Sequence, residues 1–295
     1  MRKKVLWIIF VVVAAVAVWS WWGYWTAKTG PAKEQPTDRP EGANGLVQKV
    51  FSFSIDGRSA KGVKQWHLEG NSADIIGDDI HLNDLKAVAY GENEVVDLTS
   101  DMGVYRKEAG EVELIGNVEV AADDGFNLTT DRAKWSQLTR EISTDKVVHI
   151  KREGMTAVGK GGMANSEEKW ARLNEDVMVI MEPHTKVNCD GPLEVDYKNN
   201  KAIFYKNVKV EDKDGKLFAD KLTVNFDPET QKLAQVVAEG NVKVKRGKTY
   251  TISEKAIYTD STKSAQLLGK PRIIIDPEEL DKLEGTGIPS LQERE

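Results

Sequence analysis

Few residues in this chain combine the type and spacing that chemistry needs. Gly159-Lys160-Gly161-Gly162 joins glycines to a lysine, as a phosphate-cradling loop does. It lacks the Walker spacing and a following helical stretch, so a loose turn between strands is expected there. The acidic pairs Asp78-Asp79 and Asp123-Asp124 have the composition of paired catalytic carboxylates. Each adjoins a glycine in a turn-forming phrase, which makes it a hairpin former. Four histidines (His67, His81, His149, His184) are scattered without ligand-like spacing. The single cysteine, Cys189, excludes an internal disulfide and a thiolate-built metal cluster, and reads as a small residue in a strand. Asn127-Leu128-Thr129 matches a glycosylation acceptor but falls in an expected strand. No Asp, Glu or His constellation recurs on one expected face, which disfavours a hydrolase built on a β-solenoid surface. No metal or cofactor is expected. The net charge of -6, with acids and bases interspersed, lacks the basic face of a nucleic-acid binder.

What does recur is a pattern with a period of about thirty residues, the mark of stacked repeats. A valine follows an expected turn at Val88, Val118, Val148, Val177, Val208 and Val242, and the run ends at Pro271–Ile273. The phrases Ile115-Gly116-Asn117-Val118, Tyr205-Lys206-Asn207-Val208 and Glu239-Gly240-Asn241-Val242 repeat around it. A second marker is an aromatic ahead of a short polar turn: Tyr105, Trp135, Tyr197, Phe226 and Tyr258, with Trp170 near the place that lacks one. Between the turns apolar and polar residues alternate, as in Val112, Leu114, Val118 and Val120 against Glu113 and Glu119. That period of two places one strand face in an apolar interior and the other in water. From Leu46 onward the fold is therefore all-β, with stacked antiparallel hairpins whose two sheets cover each other.

The N-terminus differs. Arg2, Lys3 and Lys4 precede an uncharged run, Val5 to Ala27, long enough to cross a hydrocarbon core of about 30 Å as a helix. The basic flank predicts a cytoplasmic stub (1–4), a transmembrane helix (5–27) and an exported remainder in the periplasm. Trp19, Trp21, Trp22 and Trp25 fall where an aromatic belt would meet the headgroups. Ala15-Val16-Ala17 offers the competing reading, a signal-peptide cleavage site, but cleavage there would leave a cluster of exposed tryptophans. Residues 28–45 are polar and Pro-rich, a tether. After Ile275 a polar tail, 276–295, closes the chain.

The ordered series Gln65-Trp66-His67-Leu68-Glu69-Gly70, Leu85-Lys86-Ala87-Val88, Leu98-Thr99-Ser100-Asp101, Ile115-Gly116-Asn117-Val118, Phe126-Asn127-Leu128-Thr129 and Ile142-Ser143-Thr144-Asp145, with the anchor, resembles the LptC family. Residues 184–275, with Lys206-Asn207-Val208, Phe218-Ala219-Asp220-Lys221-Leu222 and Glu239-Gly240-Asn241-Val242, are similar to the LptA/OstA family. The resemblance implies an open, V-shaped β-jelly roll, LptC-like over 46–183 and LptA/OstA-like over 184–275. It further implies a non-enzymatic, inner-membrane-anchored component of lipopolysaccharide export. Such a component takes lipopolysaccharide from an inner-membrane ABC transporter and passes it to an LptA-type bridge subunit or an outer-membrane assembly protein. An apolar trough between the sheets would carry the acyl chains, since each exposed CH₂ costs about 0.8 kcal/mol. By phase its lining is Val112, Leu114, Val118, Val120, Phe126, Leu128, Val177, Val179, Val208, Val210, Leu222, Val224, Val242 and Val244. The same residues suit a plain packed core, so a structural periplasmic spacer or assembly scaffold with a closed interior stays open beside the conduit. Unpaired edges would dock partners by strand addition, through Val50, Phe51 and Phe53 at one end and Ile273, Ile274 and Ile275 at the other.

Overall fold

The computed structural model of the chain describes residues 48–58, 62–91, 95–165 and 167–275. The expected anchor, with its interfacial tryptophans, the tether and the tail lie outside the described residues. Within them the chain is strand and turn. Nine long strands come first: β1 (Gln48–Arg58), β2 (Lys64–Ile76), β3 (Asp79–Tyr90), β4 (Val95–Arg106), β5 (Glu111–Ala122), β6 (Asn127–Ser136), β7 (Glu141–Arg152), β8 (Met155–Asn165) and β9 (Trp170–Met181). Each pairs antiparallel with the next. β10 (Thr185–Cys189) and β11 (Leu193–Asp196) both lie between β9 and β12 (Lys201–Glu211), so they form one strand interrupted at Asp190-Gly191-Pro192. β13 (Lys216–Phe226), β14 (Leu233–Arg246) and β15 (Thr249–Thr259) continue the meander. β16 (Ser264–Leu268) and β17 (Arg272–Ile274) share β15 as another interrupted strand.

The expected turns ahead of Val118, Val148, Val177, Val208 and Val242 are not turns. They are bulges inside long strands, and Val88 likewise lies within β3. Between Ile115↔Arg132 and Val118↔Thr130, two residues of β5, Gly116 and Asn117, face one of β6. Lys206-Asn207 in β12 and Gly240-Asn241 in β14 repeat the arrangement. All six have left-handed backbones, with φ from 46° at Asn117 to 79° at Gly116. Gly and Asn adopt that region most readily, which is why a turn and this bulge share a signature. Each bulge asparagine then donates to an aspartate on the preceding segment: Asn117 Nδ2 to Asp101 at 2.9 Å, Asn207 to Asp190 at 2.5 Å and Asn241 to Asp220 at 2.8 Å. A Cβ on Gly116 would come within 2.3 Å of Asp101 Oδ2, and one on Gly240 within 2.4 Å of Asp220 Oδ2.

A bulge bends its strand and increases its twist. Repeated at the same height from strand to strand, the bulges draw a crease across the meander. The crease divides it into a first leaf, holding segments such as Glu111–Ile115 and Leu222–Phe226, and a second, holding Val118–Ala122 and Lys216–Ala219. Inward side chains of both leaves pack together: Leu114 with Val118 and Val120 in one cluster, Leu222 with Val242 in another. The first cluster runs from Leu68 to Trp135 and the second from Val148 to Val242. Leu128 and Ile150 touch both, and the ladder continues unbroken past residue 183 through the β9–β10 pairing.

Gly159-Lys160-Gly161-Gly162 is also a correction, because it lies inside β8 rather than in a loose turn. Its glycines serve packing: a Cβ on Gly159 would press Leu173 at 3.0 Å, and one on Gly162 would meet the Arg172 carbonyl at 3.3 Å. The hairpin ends read correctly from turn chemistry. Six turns on one side close with left-handed Gly110, Arg140, Lys169, Asn200, Gln231 and Lys263. They are tied to their neighbours by bonds such as Gln137 N to Gly110 O and Phe226 N to Asn200 O, both 2.9 Å.

Candidate functional site: the apolar interior between the leaves

The interior is built from alternate residues of nearly every strand. All fourteen side chains expected to face inward do so. Val112, Leu114, Val118, Val120, Phe126, Val177, Val179, Val208, Leu222 and Val242 are buried, while Leu128, Val210, Val224 and Val244 are half-buried and pack against the clusters. The valines that follow bulges (Val118, Val177, Val208, Val242) are among the most completely buried side chains. They stand at the crease, beside the bulges.

In β12 to β15 most inward residues away from that line are more exposed, buried Ala202 excepted. Val208, Ala219, Leu222, Ala238 and Val242, next to the crease, are buried. Farther out, Val210, Leu217 and Val244 on one leaf and Val224, Phe226 and Val236 on the other are only half-buried. Over β3 to β6 the interior is tighter, with Val112, Leu114 and Val120 all at 5% exposure or less.

No charged side chain is buried among the described residues. The buried polar side chains among the described residues are Ser100, Thr130, Asn165 and Ser253, all uncharged. Ser100 donates to the Met102 carbonyl at 3.1 Å, satisfying backbone where β4 passes the β5 bulge. Cys189 faces inward as expected of a strand residue, and burial pushes its thiol above the ordinary value. The Tyr197 phenol is likewise pushed up by burial. The apolar lining of the interior is chemically suited to hydrocarbon. His67 belongs outside, bonded to Asp56 at 2.7 Å.

Sequence phase missed several inward residues: Leu217, Val236, and the alanines Ala133, Ala157, Ala202, Ala219 and Ala238. Small residues give a weak apolar signal, although their recurrence opposite the valines was there to find. Phe226 and Trp135 were noted as turn markers, and both also face the interior.

The edges are exposed. β1 pairs only with β2, and on it Val50 and Phe51 are exposed while Phe53 packs against the first cluster. At the other end Ile273, Ile274 and Ile275 are exposed. That edge is longer than expected, because β16 extends it.

The family described as lipopolysaccharide-assembly, LptC-related, matches residues 10–182. The family described as LptA/(LptD N-terminal domain) LPS transport protein matches residues 186–290. No curated protein matches the chain. Among solved structures it is similar to LptH of Pseudomonas aeruginosa, the LptA-homologous periplasmic component of a lipopolysaccharide transport device. The match has 14% identity and a TM-score of 0.35, covering 42% of this chain and 95% of that one, too slight a likeness to transfer any detail. With more than half its length matched by the first family and most of the remainder by the second, the chain belongs to the LptC-related lipopolysaccharide-assembly family and carries an LptA-like C-terminal extension.

Proposed function

We propose that this lipopolysaccharide-transport component is held in the inner membrane by residues 5–27 and carries the acyl chains of its lipid through the apolar interior. The lipid arrives from an inner-membrane ABC transporter at the β1 end and leaves toward a bridge subunit or outer-membrane assembly protein at the β16–β17 end. The LptC-like part spans 46–183 and the LptA-like part 184–275. The role is non-enzymatic. The observation that carries this reading is the greater exposure of most inward residues away from the crease in β12 to β15, as expected of an apolar wedge that opens from the crease. Each methylene kept there avoids about 0.8 kcal/mol of exposure to water, while the sugars stay outside.

The tight packing over β3 to β6 favours a second reading, in which the interior is core and the protein a spacer. Photocrosslinkers placed at Val118, Val179 and Val224 in cells separate the two. Lipopolysaccharide adducts from these sites, absent from outward Glu119, are the expected result. Protein-only adducts from a folded chain would leave the spacer.

A further inference from the structure

The strands of the meander do not hold one another equally. β6 and β7 pair at the two ends of their hairpin, Asn127 to Thr129 against Lys151 to His149, and Lys134 to Ser136 against Ser143 to Glu141. Between these stretches residues 130–133 of β6 face residues 144–148 of β7 with no ladder pair. Each segment stays paired on its far side, to β5 and to β8. Its side chains serve their own backbone instead. Lys146 N donates to Thr144 Oγ1 at 3.0 Å, and Thr130 Oγ1 donates to the Arg132 carbonyl at 3.5 Å. At most other creases the lapse is shorter, as where Gly116 and Asn117 face one residue of β6. The wide gap between β10–β11 and β12 is bridged, by Asp190 N to Lys206 O at 3.0 Å, Gly191 N to Tyr205 O at 3.2 Å and Tyr205 N to Pro192 O at 3.0 Å.

The packed interior divides at the same place. Among buried side chains the first cluster ends on β6 with Ala133 and Trp135, and the second begins on β7 with Val148. Leu128, Ile142 and Ile150, which reach across, are half-buried. The boundary between the LptC-like and LptA-like parts, at residues 183–184, is different. There Val177 to Met181 pair in register with Cys189 to Thr185, and Val177, Val179, Val187 and Cys189 share one cluster. At the first-leaf end of the β6–β7 seam, turn 137–140 joins the two strands. At the second-leaf end Arg152 Nη2 donates to Asp124 Oδ2 at 2.7 Å, which ties β7 to the β5–β6 turn.

We propose that β1–β6 and β7–β17 move as two bodies about the β6–β7 seam, pivoting on turn 137–140 and clasped at the far end by Arg152 and Asp124. A junction with a lapsed ladder and no shared buried side chain opens at lower cost than its neighbours. A few residues at such a place absorb the backbone change of a hinge. The joint therefore falls inside the LptC-like part. Leu128 and Ile150, paired across it, keep the apolar lining continuous while the bodies tilt.

Spin-label distance measurements on the full chain in neutral detergent test this, with Cys189→Ala leaving only the introduced thiols. Lys86, Lys160 and Lys243 are exposed on β3, β8 and β14. Labels at K86C/K160C span the seam, and labels at K160C/K243C span residues 183–184. Each pair lies five strand spacings apart, about 24 Å. The distance distribution across the seam should be about twice as wide as the other. Asp124→Asn, which retains an acceptor for Phe126 N, should widen the first further and leave the second unchanged. Equal widths would remove the joint, and a wider K160C/K243C distribution would place it at residues 183–184. Widths unmoved by Asp124→Asn would remove the clasp. Any of these three outcomes overturns the proposal.

Discussion

Leu222 and Val224 occupy the same inward face of β13, one beside the crease and one farther out. Truncating a fully enclosed leucine leaves a cavity, so Leu222→Ala should cost about 3 kcal/mol in urea unfolding. Val224→Ala, at a half-exposed position, should cost under about 1 kcal/mol. Equal costs would mean that the wedge is closed at both places. Glu211 tests the outer surface. Hydrogen bonds from Lys209 and then Lys216 lower its pKa from an ordinary 4.5 to about 2. A carboxyl lowered by folding contributes stability that is complete above its unfolded value and is lost as pH falls through the folded one. Stability of the native chain should therefore decline between pH 4.5 and about 2 more steeply than that of Glu211→Gln. Parallel acid limbs in the two unfolding curves would remove Glu211 from the account. The contribution is small, because the group is exposed to solvent.

At the scale of the strand, the bulge is the unit that repeats. Its first position is Gly116 in β5, Gly240 in β14 and Lys206 in β12, and all three have positive φ. A side chain with a Cβ costs about 1 kcal/mol in that region. Lys206→Gly should therefore stabilise the chain by up to about 1 kcal/mol. Gly240→Ala should destabilise it by more, since strain is joined by the contact with Asp220. Thermal unfolding of the two variants should shift in opposite directions, and a shared sign would show that the left-handed backbone is not what the position requires. The sequence contained this unit in full, as Gly-Asn-Val and Lys-Asn-Val. It was legible as a chain reversal only because turns and bulges draw on the same residues. Pairing register, a property of two strands, distinguishes them.

For the molecule as a whole, the meander never closes on itself among the described residues, and its ends are edges with exposed apolar side chains. An edge of this kind is normally blunted by charge. If β17 receives a bridge subunit by strand addition, Ile273→Asp should abolish co-purification with that subunit while the melting temperature stays within about 2 °C. Retained binding would move the exit contact elsewhere.

The sequence by itself determined the all-β class, the thirty-residue hairpin unit, the hairpin turns and the inward phase of the fourteen side chains it singled out. Each is set by local chemistry: a period of two, and Asp, Asn and Gly where the backbone must reverse. Tertiary structure alone decided that the recurring Gly-Asn phrases crease strands rather than end them, and that Gly159 to Gly162 lie within a strand. It also decided how far each inward side chain is exposed. An inward valine has the same phase whether the opposite leaf touches it or stands away, so exposure of the interior depends on the distance between leaves, which no single strand encodes.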